Sequence, residues 1–210
     1  MDAITYGSLF LILGSTRLSV LTCCISENPG KHGFLSADAE TQEELKDYLL
    51  YEEDGHIGLF VMLGETIKPL FYGTVTCMEV KAQGGRCVLH LEALTESYQM
   101  DLTVRNRSFQ DVAMTSHQLI QKILEPYSQS QILFSIEDKA LGQIMVQYQE
   151  TDWEFLNRVL SAYGASAYIA GNEPGIYLRV GLMDTEEDAD WDLLPYVLHR
   201  NAAPRETKKG

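Results

Sequence analysis

The stretch from Val146 to Leu156 reads VQYQETDWEFL and predicts a strand that turns directly into a helix. Before the turn, apolar and polar residues alternate as on a half-exposed strand, the apolar ones being Ile144, Val146 and Tyr148. Thr151 and Glu154 then have the spacing of a capping box, in which each side chain bonds a backbone N–H group of the other residue. We therefore interpret the stretch as a structural joint between two elements.

The helix predicted after this joint has one apolar stripe, made of Phe155, Leu156, Val159, Leu160 and Tyr163. Gly164 is a good helix stop, because glycine readily takes the left-handed conformation of a C-terminal cap. Upstream, Thr115 and Gln118 form a second capping box. The helix that follows it carries Leu119, Ile120, Ile123 and Leu124 and is expected to end before Pro126.

The rest of the chain reads mainly as strands. The candidates in the first half are Arg17–Ser26, Ile57–Leu63, Leu70–Val80 and Arg86–Thr95, with one short helix at Glu43–Tyr51. The last two strands flank Gln83-Gly84-Gly85 and predict a hairpin, because glycines tolerate the positive φ angles of a tight turn. Near the other end, Ala165–Ala170 and Ile176–Leu182 predict a further hairpin.

Length and charge bound the possible functions. The chain has 210 residues, 45% of them hydrophobic, and a formal net charge of −14. A chain of this size forms one large domain or two small ones and buries about 70% of its unfolded surface. The acidic balance argues against nucleic-acid binding and against attraction to anionic membranes. No run reaches the ~18 apolar residues of a membrane span, and Leu9–Leu13 is too short for a signal-peptide core. We expect a cytoplasmic protein without membrane insertion.

Residue types that often carry chemistry lack diagnostic spacing here. No pair of cysteines has the two-residue spacing of a zinc or redox motif, and we interpret all four as reduced thiols: Cys23, Cys24, Cys77 and Cys87. None of the five histidines has a second His or a Cys at metal-ligand spacing. Nucleophile elbows, P-loops and dinucleotide glycine patterns are also missing from the sequence. We therefore predict no catalytic residue, no cofactor and no metal.

Two acidic alternatives stay open. The thirty Asp and Glu residues could include a carboxylate pair for glycoside hydrolysis, but sequence offers no spacing test for groups that meet only in the fold. Six of the nine residues from Asp184 to Asp192 are acidic and could hold calcium. That run lacks the alternate-position spacing and the glycine of a calcium loop, so a solvated loop is the ordinary interpretation.

The Val146–Leu156 stretch resembles the signature of the VgrG family, which is related to phage late control protein D. The family pattern is roughly valine-glutamine-tyrosine-x-glutamate-(serine or threonine)-aspartate-x-x-phenylalanine-(leucine or valine). Arg107–Asp111 resembles the family's arginine-x-phenylalanine-glutamine-aspartate segment, and Leu70–Val75 resembles a strand of its first domain. His32-Gly33 falls where many members carry a similar pair. The resemblance assigns structural signature positions to Arg107, Phe109, Gln110, Asp111, Gln147, Tyr148, Glu150, Thr151, Asp152, Phe155, Leu156 and Gly164.

The resemblance implies an α+β, mainly β fold with two tube-like β-barrel domains and short helices packed on them. The first barrel domain is expected at residues 1–105. The second, with two helices, is expected at residues 106–200, and the resemblance leaves open whether this chain completes its barrel. Residues 201–210 are expected to be a disordered tail.

The function implied by the resemblance is that of a structural hub in a contractile injection system such as a phage tail, a tailocin or a type VI-like machine. A homotrimer with two similar barrels per subunit presents six barrels, so it could join a six-fold tail tube protein to a three-fold spike protein. The hub would be assembled into the injection particle. The competing hypothesis is a stand-alone β-rich ligand-binding or hydrolase domain, which would need a concave pocket with convergent polar groups.

Overall fold

The first half of the molecule is a closed antiparallel barrel of six strands. The computed structural model describes residues 8–41, 55–83 and 86–181. The strands are β1 (Leu9–Leu13), β2 (Thr16–Ser26), β3 (Phe34–Thr41), β4 (His56–Leu63), β5 (Thr66–Gln83) and β6 (Arg86–Thr95). They follow the order β1-β2-β3-β6-β5-β4, and pairing of β1 with β4 closes the barrel. The predicted hairpin between β5 and β6 is present, with Gln83 opposite Arg86.

The barrel is filled by side chains because its strands alternate apolar and polar residues. In β6 every second residue is buried, namely Cys87, Leu89, Leu91 and Ala93. Fully buried leucines of β1, β3 and β4 and Phe71 of β5 meet them in one core. Register shifts in three strand pairs, at Val20/Thr22, Leu59/Phe60 and Val75/Cys77, mark bulges of the kind that bend strands around a barrel.

The second half combines two helices with two small sheets. After a 3-10 helix (Glu96–Asp101), its elements are β7 (Val104–Phe109), α1 (Ser116–Leu124), β8 (Ser130–Phe134), β9 (Met145–Thr151), α2 (Asp152–Ala162), β10 (Ala167–Ile169) and β11 (Ile176–Val180). Strand β7 pairs with β9, while β11 lies between β10 and β8 and runs parallel to β8. The apolar faces of both helices and of β11 share one core with Met145 and Trp153.

Both helices predicted for the second half and the β10–β11 hairpin are observed, but β9 lies with its faces opposite to the expected arrangement. The pattern predicts burial of the apolar side, whereas Val146 and Tyr148 are exposed and Met145 and Gln147 are buried. The physical reason is that Gln147 satisfies several buried polar groups, so the strand turns its amide inward. The predicted helix at 43–51, the acidic run at 184–192 and the tail at 201–210 lie outside the described residues.

Backbone hydrogen bonds join the two halves directly. The Gly30 N–H, in the loop between β2 and β3, donates to the Ala167 carbonyl oxygen at 2.7 Å, and the Tyr72 N–H donates to the Gly171 carbonyl oxygen at 2.6 Å. A Cβ on Gly171 would lie 2.6 Å from Glu27 Oε1 and 3.1 Å from Thr95 Cγ2, so the barrel and the β10–β11 loop meet closely there. The halves therefore pack against each other without an intervening linker.

Candidate functional site

The start of α2 places several polar side chains where the two halves meet. Thr151 caps the helix: its Oγ1 accepts from the Glu154 N–H at 3.1 Å, and the Thr151 N–H donates to Glu154 Oε2 at 2.9 Å. The predicted capping box is therefore formed. Because the cap fixes the direction of the first turn, Asp152 and Trp153 both point into the protein and are buried.

Asp152 is the centre of a buried polar cluster that we call the Asp152 network (Arg105, Arg107, Tyr127, Gln147 and Asp152). The carboxylate has no exposed surface. Its Oδ1 accepts from Gln147 Nε2 at 3.0 Å and from Arg107 Nη2, and its Oδ2 accepts from the Tyr127 hydroxyl at 2.8 Å. Arg105 Nε lies 3.0 Å from Oδ2, an ion-pair distance at which its N–H direction falls outside hydrogen-bond geometry. Two guanidinium groups thus balance one buried carboxylate.

Gln147 connects this carboxylate to the strand-to-helix turn. Its Nε2 also contacts the carbonyl oxygens of Glu150 and Thr151 at 3.0 and 3.1 Å, and its Oε1 accepts from Arg107 Nε at 2.8 Å. Burial and the hydrogen bond to Asp152 raise the pKa of Tyr127 to about 12, so its hydroxyl remains a donor at neutral pH. The network holds β7, β9 and the N-terminus of α2 together through the hydrogen bonds of Asp152 and Gln147 and the charges of the two arginines.

A second cluster, the His32 network (His32, Thr95, Ser97, Asp101 and Thr151), joins α2 to the barrel. His32, in the β2–β3 loop, lies 2.8 Å from Ser97 Oγ through Nδ1 and 2.9 Å from Asp101 Oδ2 through Nε2. Asp101 Oδ1 accepts from the Thr151 hydroxyl at 2.5 Å. The His32 ring packs against Trp153 with 4.4 Å between the ring centres.

Ser97, His32 and Asp101 are the three residue types of a hydrolytic triad, but their environment argues against that chemistry. Ser97 has no exposed surface and is bonded to Thr95 as well, so its hydroxyl is not presented to a substrate. The ring also bonds serine through Nδ1, whereas a serine-protease histidine uses Nε2 for this contact. The arrangement is suited to holding the halves together.

The remaining signature residues either pack in the core around α2 and end that helix, or lie at the surface. Phe155 and Leu156 are fully buried, Phe109 stacks on Phe155 at 5.7 Å, and Gly164 ends α2 with a φ of +64°. Glu150 forms a two-bond ion pair with Arg158 on the surface, with both distances 2.7 Å. Tyr148 and Gln110 are exposed, and Asp111 caps a turn by accepting from the Ala113 N–H at 2.9 Å. These last three take no part in either network.

Sequence patterns miss part of each network. Arg105, Tyr127, Ser97 and Asp101 lie in segments without a recognisable motif, and Asp101 meets His32 across 69 positions of sequence. For the contact between His32 and Asp101, the sequence offers one local indication, which is the family resemblance at His32-Gly33. Long-range partners of this kind are specified by the fold and leave no spacing in the sequence.

Other concave or charged features give little support to a ligand site. An open depression of about 650 Å³ beside α1 is lined by Asp111, Met114, Gln118, Gln121, Lys122 and Glu125. Across residues 8–41, 55–83 and 86–181, no three His, Cys, Asp or Glu side chains are grouped to hold a metal ion. Within those same ranges, no helix has both the length and the apolar character needed to cross a bilayer.

Replacing Thr151 by alanine should lower stability by about 1 kcal/mol, the usual value of a helix cap, and the melting temperature by about 2–4 °C. Thermal unfolding followed by circular dichroism measures this. The matched control is Thr115→Ala, which removes the equivalent cap of α1. Thr151 also donates to the half-buried Asp101, whereas the carboxylate beside Thr115, Asp138, is exposed, so the loss of Thr151 should cost more than that of Thr115. Equal melting temperatures for the two variants would contradict a joint that extends across the halves.

Comparison with known proteins gives a family match. The sequence model of the phage tail baseplate hub (GPD) family matches residues 60–192, which is more than half of the chain. The matched segment includes β5, β6, both helices and both networks except His32. No protein of curated function matches the chain.

Solved structures show the same fold at low sequence identity. The E. coli c3393 protein is a component of the type VI secretion system with structural similarity to T4 bacteriophage tail proteins gp27 and gp5. It is 16% identical, with a TM-score of 0.63 over 82% of this chain and 48% of its own. A tail protein from Neisseria meningitidis MC58 is 14% identical, with a TM-score of 0.59, and the match covers 85% of this chain and 52% of that protein. The 43 kDa tail protein of prophage MuSo2 from Shewanella oneidensis is 13% identical, with a TM-score of 0.60, and the match covers 82% of this chain and 52% of that protein. The chain spans about half the length of each.

Proposed function

The chain belongs to the phage tail baseplate hub family, and from this membership we propose that it is a trimeric adaptor joining a six-fold tail tube to a three-fold spike. The observation that carries the proposal is the closed six-stranded barrel with a second β-containing half packed directly on it. Two barrel-like units in each of three subunits give a ring with six similar units, which matches six-fold symmetry on one side and three-fold on the other.

The proposed domain organisation follows from this role. Residues 1–105 would form the first barrel domain, residues 106–200 the second with its two helices, and residues 201–210 a tail. The described part of the second half contributes a three-stranded and a two-stranded sheet, and a complete second barrel would need further strands. The proposed partners are a second and third copy of this chain, a tail tube protein and a spike protein.

The ribbon formed by β7 and β9 supports association with other subunits. Within the described residues each of these strands pairs only with the other, so each has an outer edge available for a neighbour. The outer surface exposes three large apolar side chains, Val104, Val146 and Tyr148, beside the polar Asn106 and Ser108. An exposed apolar strip beside unpaired strand edges is a common feature of assembly surfaces.

The proposed role is non-catalytic and requires no metal or cofactor. The triad-like arrangement of Ser97, His32 and Asp101 is committed to structural bonds, with Ser97 fully buried, and neither network presents a reactive group to a cleft. The protein would be made in the cytoplasm and incorporated into a phage tail-like or injection particle, without binding nucleic acid or inserting into membrane.

Self-association is the direct test. Multi-angle light scattering of the full-length form over a wide concentration range is expected to show a mass that rises toward three times that of one subunit. Electron microscopy of the same sample is expected to show rings with a six-fold outline. Tyr148→Ala on the β7–β9 ribbon should weaken association without changing the melting temperature of the monomer. A strict monomer at high concentration would argue against the hub role and would favour a stand-alone binding domain.

A further inference from the structure

His32 lies where three elements meet. Its ring is contributed by the β2–β3 loop of the barrel, bonds Ser97 and Asp101 of the 3-10 helix, and packs on Trp153 of α2. Only 10% of the side chain is exposed. A change in the charge of this ring would therefore act directly on the contact between the halves.

The hydrogen bonds of the His32 network have one consistent direction. The Gly33 N–H, which can only donate, is bonded to Thr95 Oγ1 at 3.0 Å. The Thr95 hydroxyl can then donate to Ser97 Oγ at 2.9 Å, and the Ser97 hydroxyl to His32 Nδ1. This leaves the ring proton on Nε2, where it is donated to Asp101. Every hydroxyl proton is used, and the histidine is neutral.

A second ring proton does not fit this order. With Nδ1 protonated, Ser97 must accept from the ring, and its own hydroxyl proton must turn toward Thr95. Thr95 then loses the acceptor for its hydroxyl, although it is 1% exposed and surrounded by protein. An unsatisfied buried hydroxyl is destabilising, so the cationic ring is disfavoured by geometry.

We propose that His32 is a pH-sensitive latch between the barrel and the second half, closed with a neutral ring and loosened when the ring is protonated in mildly acidic solution. The loosening is local: the barrel core, built from apolar residues, keeps its structure while the contacts of the β2–β3 loop with α2 and the β10–β11 loop open.

The charged surroundings favour this behaviour. The charged or titratable groups on the packed elements are Glu96, Tyr98 and Asp101 on the 3-10 helix, Asp152, Glu154 and Arg158 on α2, and Glu27 and Lys31 in the loop itself. Burial lowers the pKa of His32 from the ordinary value, and the hydrogen bond and charge of Asp101 oppose this without reversing it. Between the lowered pKa and about 6.5 the open form therefore binds the proton more readily. The latch therefore stabilises the contact between the halves fully above about pH 6.5, and this stabilisation is lost as the pH falls from about 6.5 toward the lowered pKa of His32.

Glu27 should change the stability of the joint with pH in the opposite direction to His32. Burial raises its pKa, against the hydrogen bond from the Gly171 N–H and the charge of Arg179. The folded state thus binds this proton more readily, so the contribution of Glu27 increases as pH falls from the raised value toward that of a free glutamate. Weakening of the joint in mild acid would consequently come from His32 and not from Glu27.

Hydrogen exchange followed by NMR tests the latch. After correction for the intrinsic pH dependence of exchange, the protection of the Gly30 and Tyr72 amides, which bond across the halves, should fall by up to about tenfold per pH unit below 6.5. Amides within β6 should keep their protection. The His32 ring itself should titrate with a midpoint below 6.5.

His32→Gln should abolish the pH dependence, because the amide can still donate to Asp101 but does not ionise. His90→Gln is the matched control, since His90 also pairs with a carboxylate, Asp38, but on the barrel wall. If His32→Gln fails to fold, His32→Asn serves instead, because its amide does not ionise either and should likewise abolish the pH dependence. A wild-type His32 midpoint at or above 6.5 would overturn the proposal. So would parallel loss of protection in β6, or an unchanged pH dependence in His32→Gln.

Discussion

Phe155→Ala is expected to destabilise the protein by about 3–5 kcal/mol, the usual cost of truncating a fully buried phenylalanine. Phe155 has no exposed surface, stacks on Phe109 at 5.7 Å and lies under the Arg158 guanidinium at 5.1 Å. The cavity would open at the centre of the core that α1, α2 and β11 share. A domain is stable by only about 5–15 kcal/mol, so much of that margin would be lost.

Urea unfolding with intrinsic fluorescence would measure the loss of stability. Tyr148→Ala is a suitable control because Tyr148 belongs to the same motif but is 69% exposed. That substitution should change the free energy of unfolding by about 0.5 kcal/mol or less. If Phe155→Ala unfolded like the wild type while a specific binding activity disappeared, the motif would be a functional site and the structural interpretation would be wrong.

The elements that sequence predicts correctly are those fixed by neighbours along the chain. The capping boxes at Thr115 and Thr151 form as predicted, because each is closed by two residues three positions apart. The β5–β6 hairpin follows from its glycine turn and the alternation in β6. The family resemblance also indicates the correct fold, since its motifs mark these same local joints.

What sequence leaves undetermined depends on distant partners. Strands β1 and β3, which are not predicted from the sequence, are each paired on both sides in the closed barrel. In β9 the rule that apolar residues face inward fails, because Gln147 has three buried acceptors and one buried donor to satisfy. A buried amide with four partners outweighs the exposure of Val146 and Tyr148. No pattern within β9 reveals those partners.

The same reasoning makes Asp152 the polar residue whose loss should be most damaging. Asp152→Ala would leave Arg105 and Arg107 without their common anion, and it would remove the acceptor of the Tyr127 hydroxyl. Removing one partner of a buried ion pair typically costs about 3–5 kcal/mol. Because the Arg105 and Arg107 side chains are 33% and 24% exposed, the cost here should lie at the lower end of that range. We therefore expect a loss comparable to that of Phe155→Ala, although the side chain removed is much smaller.

Glu150→Gln is the matched control for Asp152→Ala. Its carboxylate is also paired with an arginine and lies two residues away, but the Arg158 partner is 46% exposed. Solvent-exposed pairs contribute about 0–1 kcal/mol, so the free energy of unfolding should change little. NMR titration of Tyr127 provides a second measurement: because the Asp152 charge and hydrogen bond add to burial in raising its pKa to about 12, that pKa should fall in Asp152→Ala. A folded Asp152→Ala variant with the stability and the Tyr127 pKa of the wild type would mean that the two arginines find other partners. The carboxylate would then not be what holds β7, β9 and α2 together.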